Sequence, residues 1–268
     1  MSPSIAVAAT APFGADVLER LATTHDITAV LTRPDAPAGR GRKLGPSSAK
    51  VAAERLGLPV LDPDRLDPGL DLGAPVVVAV AYGLIVPEPV LAERLWLNVH
   101  PSLLPRWRGA APVERALMAG DGETGVSIIK LVKELDAGPI AAQESFALRP
   151  EDDAGSVFLR AAEVAAELLA RVLADPPARF REQVGEPSYA AKITAEDRRL
   201  DLEQPAQQLV DRVRALSPHI GARAELHGRS VTIWKARVAE DAAFEPVEVQ
   251  PDGGRPMAYD AWLRGLRA

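Results

Sequence analysis

The sequence predicts an α/β protein built on a mostly parallel sheet, followed by a smaller β-rich domain. Three observations lead there. Apolar runs of strand length alternate with helix-like segments through the first half of the chain, the rhythm of βαβ units. One of these runs, "PVVVAVAY" (75–82), is apolar on both parities, as a strand covered on both faces must be. After a proline-rich break near residue 176 the pattern changes to short runs bounded by turn residues.

Taken in order, "IAVAAT" (5–10) is a first buried strand. The start "MSPSIAVAATA" ends in small residues like a secretory core, but it has no Lys or Arg before a very short apolar run. Gly14–Ala22 has amphipathic spacing, "ITAVLT" (27–32) is a second strand, "SSAKVAAERLG" (47–57) a helix and "PVL" (59–61) a short strand. Next come "LNVH" (97–100), a helix over 112–118, and strands "GVSIIKLV" (125–132) and "PIAAQESFAL" (139–148), joined by the polar turn "KELDAG" as an antiparallel pair. A long Ala- and Leu-rich helix spans 154–174, with Glu151, Asp152 and Asp153 where the helix dipole favours acids. Beyond the break, a helix over 205–216 precedes "ARAEL" (222–226), "SVTIWKARV" (230–238) and "PVEVQ" (246–250). The domains read as 1–175, a linker at 176–200, and 201–268. The sheet is Rossmann-like, yet the first strand leads into "TAPFGA" and lacks the G-x-G-x-x-G dinucleotide fingerprint.

Composition narrows the chemistry. The 268 residues include no cysteine, which removes disulfides, thiolate nucleophiles and cysteine-ligated metals. Four scattered histidines (His25, His100, His219 and His227) do not suggest a metal site, so metal-free chemistry is expected. No run reaches the roughly 18–20 apolar residues of a membrane span, and a cytoplasmic location is expected. The net charge of −6 argues against a surface uniformly basic for nucleic acid. That acidity belongs to residues 1–190, with 19 basic and 25 acidic side chains, whereas 191–268 hold 12 of each.

The stretch "LNVHPSLLPRWRGAAP" (97–112) carries the candidate chemistry. Asn98 and His100 end a strand, and their i, i+2 spacing puts both side chains on one face. An imidazole can accept a proton and an amide N–H can stabilise an oxygen that becomes negative during acyl transfer. The carboxylate they lack is sought in the next turn at the same sheet end, where Glu134 and Asp136 lie in "KELDAGPI". An Asp-Ala-Gly-Pro turn also has a plain structural reading.

"SLLPRWRGAAPVERALMAGDGETGVSI" and "LDAGP", preceded by "NVH", resemble the catalytic segment of the 10-formyltetrahydrofolate-dependent formyltransferases. Within that family, "TRPDAPAGRGRKLGPSSAK", "VAVAYGLIVP" and the β-rich second domain resemble the members that formylate methionine carried on initiator tRNA. The resemblance implies that Asn98, His100 and Asp136 are catalytic. It also implies that Tyr82, Gly83, Leu84, Ile85, Ser102, Leu103, Leu104, Pro105, Glu134, Leu135 and Gly138 border the folate. Arg40, Arg42 and Lys43, in a loop that composition alone reads as a solvated connector, would meet tRNA together with Arg106 and Arg108. The implied co-substrate is 10-formyltetrahydrofolate, without a metal. The implied partner is initiator methionyl-tRNA, with neither a membrane nor a stable protein partner.

Two departures accompany the match. The family's first strand usually ends in Met-Gly-Thr, of which only Thr10 remains. The family's second domain resembles an OB-fold, and this chain is short by about two strands of that five-stranded barrel, so an incomplete OB-like domain is expected. Other acceptors, such as an amino sugar nucleotide or glycinamide ribonucleotide, stay open, as does a non-catalytic folate- or nucleotide-binding protein.

Overall fold

Five apolar residues, every one buried, make β1 (Ile5–Ala9) the natural centre of a sheet. The computed structural model describes residues 4–38, 43–174 and 180–267. After β1 come α1 (Pro12–Leu21), β2 (Ile27–Leu31), the hairpin β3 (Ala36–Ala38) and β4 (Lys43–Gly45), α2 (Ser48–Arg55), β5 (Val60–Leu61), β6 (Val76–Val80), α3 (Glu88–Glu93) and β7 (Leu95–His100). The chain continues through β8 (Arg108–Gly109), α4 (Pro112–Met118), β9 (Glu123–Lys130), β10 (Ile140–Ala147), α5 (Ala154–Ala174) and β11 (Tyr189–Ala190). Last are α6 (Ala206–Leu216), β12 (Ala222–Leu226), β13 (Arg229–Val238), β14 (Phe244–Pro251), β15 (Met257–Ala258) and α7 (Tyr259–Arg267).

The main sheet has seven strands in the order β10-β9-β7-β6-β1-β2-β5. β1 pairs in parallel with β2 and β6, β2 with β5 and β6 with β7, whereas β9 runs antiparallel to β7. Strand order reverses between β1 and β6, which opens the crevice at their carboxyl ends where α/β sheets hold ligands. Thr10 Oγ1 closes the floor of that crevice by donating to the carbonyl of Tyr82 at 2.7 Å. α1 starts immediately above, and Gly14 is required there. A Cβ at Gly14 would sit 2.5 Å from the Val80 oxygen and 2.8 Å from Ala9 Cβ.

The segment read as a solvated basic connector carries a short ladder, with Ala36, Pro37 and Ala38 opposite Gly45, Leu44 and Lys43. Its base is held by Lys50, whose Nζ donates to Asp35 Oδ1 and Asp62 Oδ2, both at 2.8 Å. These two carboxylates raise the ammonium's pKa. Arg40 and Arg42 lie outside the described residues.

The chain divides into two compact units, each built from separate segments. The first comprises Met1–Arg108, Gly125–Ser145 and Leu159–Ser188. The second comprises Gly109–Thr124, Phe146–Phe158 and Tyr189–Ala268. In the second unit four strands follow sequence order, β12-β13-β14-β15, and α6 buries Leu209, Val213 and Leu216 with Val231, Ile233, Val249 and Trp262. Met118, at the end of α4, packs on the same core. β15 and α7 occupy the tail that carried no element in the sequence reading. α7 is short, and its apolar Trp262 and Leu263 stand among Asp260, Arg264 and Gly265.

Arg115 of α4 fastens the stretch after β11. It makes a bidentate pair with Asp197 (2.6 and 2.9 Å), and its Nε donates to the Ala191 carbonyl at 3.0 Å. Arg115, with the backbone and hydroxyl of Thr194, lowers the Asp197 carboxyl from 3.8 to about 2. Arg115→Ala is expected to destabilise the protein by about 1–3 kcal/mol at pH 7 in urea unfolding. The folded pKa lies below the unfolded one, so this contribution is complete above about pH 4 and is lost as pH falls towards 2. The gap between wild type and variant should therefore narrow as pH falls from about 4 towards 2.

Candidate active site

β7 ends in two polar side chains, Asn98 and His100. Asn98 is half-buried and His100 is 4% exposed, and both lie on the face shared by alternate residues. The register sets Asn98 opposite Ile129 and His100 opposite Ser127 of β9.

Asp136 reaches these two residues by a path that differs from the sequence expectation. Because β9 is antiparallel to β7, its following turn leaves the sheet near the start of β7, where the Leu131 N–H donates to the Trp96 carbonyl at 2.9 Å. The turn then folds back over the Asn98–His100 face. Two backbone features permit this. Asp136 takes a left-handed conformation (φ 49°), and Gly138 packs where a Cβ would lie 1.8 Å from the Lys130 oxygen. Asp136 Oδ2 stands 3.6 Å from His100 Nδ1, and Asp136 Oδ1 accepts from Asn98 Nδ2 at 3.4 Å. The Asp136 side chain is 11% exposed.

The other ring nitrogen is fixed from the loop after β7. His100 Nε2 lies 2.8 Å from the carbonyl oxygen of Trp107, which can only accept, so Nε2 carries its hydrogen. Trp107 also has a left-handed backbone (φ 62°), which aims that carbonyl inwards. Arg106 stacks over the indole at 4.7 Å.

The SLLP loop is shaped from within. Ser102 Oγ donates to the Arg106 carbonyl at 2.6 Å, and Ser127 Oγ donates to the Ser102 carbonyl at 2.6 Å. Ser127 Oγ in turn accepts from the Leu104 N–H (3.1 Å) and Gln143 Nε2 (2.8 Å). With Ser102, Leu104 and Ser127 buried and Gln143 half-buried, the loop has little freedom to rearrange.

The structure places the expected folate residues in different settings. The Tyr82 ring belongs to the apolar core with Leu31, Val77 and Trp96, and burial pushes its phenol up to about 12. Ser102 and Leu104 are buried, and Leu103 and Pro105 are half-buried. Gly138 is buried with its carbonyl bonded to Gln183. Gly83 and Glu134 are exposed and Leu84 is half-buried. Two large apolar side chains face solvent, Ile85 at 91% and Leu135 at 66% exposure. Their loops are joined by an ion pair between Glu88 and Lys133 at 3.3 Å, so these apolar groups belong to neighbouring segments. Of the expected tRNA residues, Arg106 is exposed, and Arg108 directs Nε and Nη2 to Gln183 Oε1 at 3.0 and 2.6 Å. Lys43 enters β4 through its backbone.

Sequence reasoning missed Ser127, Gln143, Gln183, Ser188 and the carbonyl of Trp107. Only Ser127 left a signal, as the polar residue inside the run "VSII". Gln183 and Ser188 lie in the proline-rich stretch, which has no periodicity to mark them.

The chain matches the formyl transferase family over residues 4–173 and the formyl transferase C-terminal domain over residues 192–246. The methionyl-tRNA formyltransferase of Paracoccus denitrificans is 40% identical over 284 residues, covering 96% of this chain and 95% of that protein. Among solved structures, methionyl-tRNA formyltransferase from Clostridium thermocellum superposes with a TM-score of 0.66 at 15% identity, over 93% of this chain and 98% of that one. HypX from Aquifex aeolicus in complex with tetrahydrofolic acid gives a TM-score of 0.70 at 18% identity, over 98% of this chain and 47% of that one. Similarity of this extent, in sequence and along nearly the full length of a relative, shows that the chain belongs to the formyl transferase family.

Proposed function

We propose that this protein transfers the formyl group of 10-formyltetrahydrofolate to the α-amino group of methionine on initiator tRNA, in the cytoplasm. The observation that carries the reading is the convergence of Asn98, His100 and Asp136 on one face of the sheet, in a chain 40% identical to a methionyl-tRNA formyltransferase. The amine attacks the formyl carbon and the carbonyl becomes an oxyanion. Asn98 Nδ2 has two hydrogens, and the one not directed at Asp136 can donate to that oxygen. Asp136 takes the proton that the amine must lose and returns it to the folate nitrogen as the carbon–nitrogen bond breaks, directly or through a water. His100, held at Nε2 by Trp107, presents Nδ1 to Asp136 and supports the charge that moves through the site. No bond to the enzyme forms.

In this reading, exposed Ile85 and Leu135 offer apolar contact to the flat pterin, as ligand clefts generally do. Arg40, Arg42 and Lys43, with Arg106, meet phosphates and unpaired bases of the acceptor stem. The test is formyl transfer from 10-formyltetrahydrofolate with charged initiator tRNA, charged elongator tRNA, free methionine and an amino sugar nucleotide offered in parallel. Charged initiator tRNA should be preferred. Neutralising Arg40, Arg42 and Lys43 should raise KM for tRNA and flatten its salt dependence by a slope of roughly 0.7–0.9 per lost phosphate contact. Efficient formylation of the sugar nucleotide, with tRNA untouched, would replace this acceptor assignment.

A further inference from the structure

Gln183 lies beyond α5, in the proline-rich stretch, and both ends of its amide are engaged. Nε2 donates to the carbonyl oxygens of Asp136 (2.7 Å) and Gly138 (2.9 Å). Oε1 accepts from Nε (3.0 Å) and Nη2 (2.6 Å) of Arg108. The first two bonds hold the turn that bends Asp136 back towards His100. The second two hold the residue after Trp107, whose carbonyl meets His100 Nε2. Ser188, further along the same segment, continues the attachment. Its Oγ accepts from the Trp107 N–H at 2.9 Å and its carbonyl from the Arg108 N–H at 2.8 Å.

We propose that Gln183 is a positioning residue for formyl transfer, because its one amide ties together the two partners of the His100 ring. It sets the carboxylate that faces Nδ1 and, through Arg108, the carbonyl that binds Nε2. This rests on the formyl-transfer reading of the site. The chemistry admits few substitutes: the position needs two N–H donors for two carbonyls and one acceptor for a guanidinium, which only a primary amide of this length supplies.

Gln183→Glu separates positioning from a merely structural role. A glutamate keeps the acceptor for Arg108 and gains an ion pair with it, so the segment stays attached. It cannot donate to Asp136 and Gly138, and their carbonyls then face a carboxylate. Gln183→Glu is expected to keep its thermal transition near wild type and KM for both substrates within about twofold, while kcat falls about 10- to 100-fold. Gln183→Met, which fills the space without polar atoms, should lose kcat comparably and gives the same information if the glutamate variant folds poorly. The inference is overturned if either folded variant keeps kcat within twofold of wild type, or if kcat per folded molecule is unchanged and only the folded fraction drops. Asp136→Asn assayed alongside distinguishes the two levels. If it too leaves kcat unchanged, the reading of the site fails; if it alone lowers kcat, only the role of Gln183 fails.

Discussion

Asp136→Asn is expected to lower kcat for formyl transfer by about 10²–10⁴-fold, with KM for tRNA and folate little changed. The substitution preserves shape, and Oδ1 can still accept from Asn98 Nδ2, so the turn should hold its path. What is lost is the group able to take a proton from the attacking amine, together with the negative partner 3.6 Å from His100 Nδ1. His100→Ala removes the ring between that carboxylate and the Trp107 carbonyl, and should cost about 10²–10³-fold. The double variant should be little worse than Asp136→Asn, because groups that act as a unit are not additive. Steady-state kinetics with charged initiator tRNA, beside thermal unfolding, decide the matter: turnover within a few-fold of wild type in Asp136→Asn would end the proton-transfer role.

Gly138→Ala should be among the most damaging single-methyl additions in the chain. The new Cβ would be placed 1.8 Å from the oxygen and 3.0 Å from the carbon of the Lys130 carbonyl, both backbone atoms that no rotamer change can move. Lys130 is held there by its own N–H, bonded to Pro139 at 2.9 Å. The base of the turn must open, at a cost of about 1–3 kcal/mol or more. Asp136, two residues earlier, moves with it, so activity should fall by at least about 10²-fold even in the folded fraction. Gly122→Ala is the matched control, since nothing lies within 4 Å of its added Cβ. Equal stability and activity in the two variants would show that the turn tolerates displacement.

The parts of this fold that were legible in the sequence are those stated by local pattern. Strands β1 and β6 are unbroken apolar runs, β2 is interrupted only by Thr28, and α5 spans the residues its Ala- and Leu-rich pattern marks, with Asp153 accepting from the Ser156 N–H at 2.8 Å at its start. The shared face of Asn98 and His100 follows from strand periodicity alone. The path of Asp136 was hidden because pattern does not report strand direction, and an antiparallel β9 moves its turn to the opposite side from the one expected. Gln183 was hidden for another reason: its partners are 45 and more residues away in sequence, and an amide bonded to distant carbonyls leaves no local mark. The two-residue strand β15 is too short to alternate.

The pairing of α4 with α6 has a consequence for the order in which the protein is made. α4 ends at Met118 and α6 begins at Ala206, and the two pack together. At a synthesis rate of about 5–20 residues per second, α4 waits on the order of 4–20 s for its partner to leave the ribosome. The first unit cannot close early either, since it draws on Leu159–Ser188. During that interval Met118, which packs on the core that α6 completes, lacks its final cover. A nascent chain arrested shortly after α4 should therefore be a strong client for chaperones that bind apolar helices, and a chain released only after β14 should not.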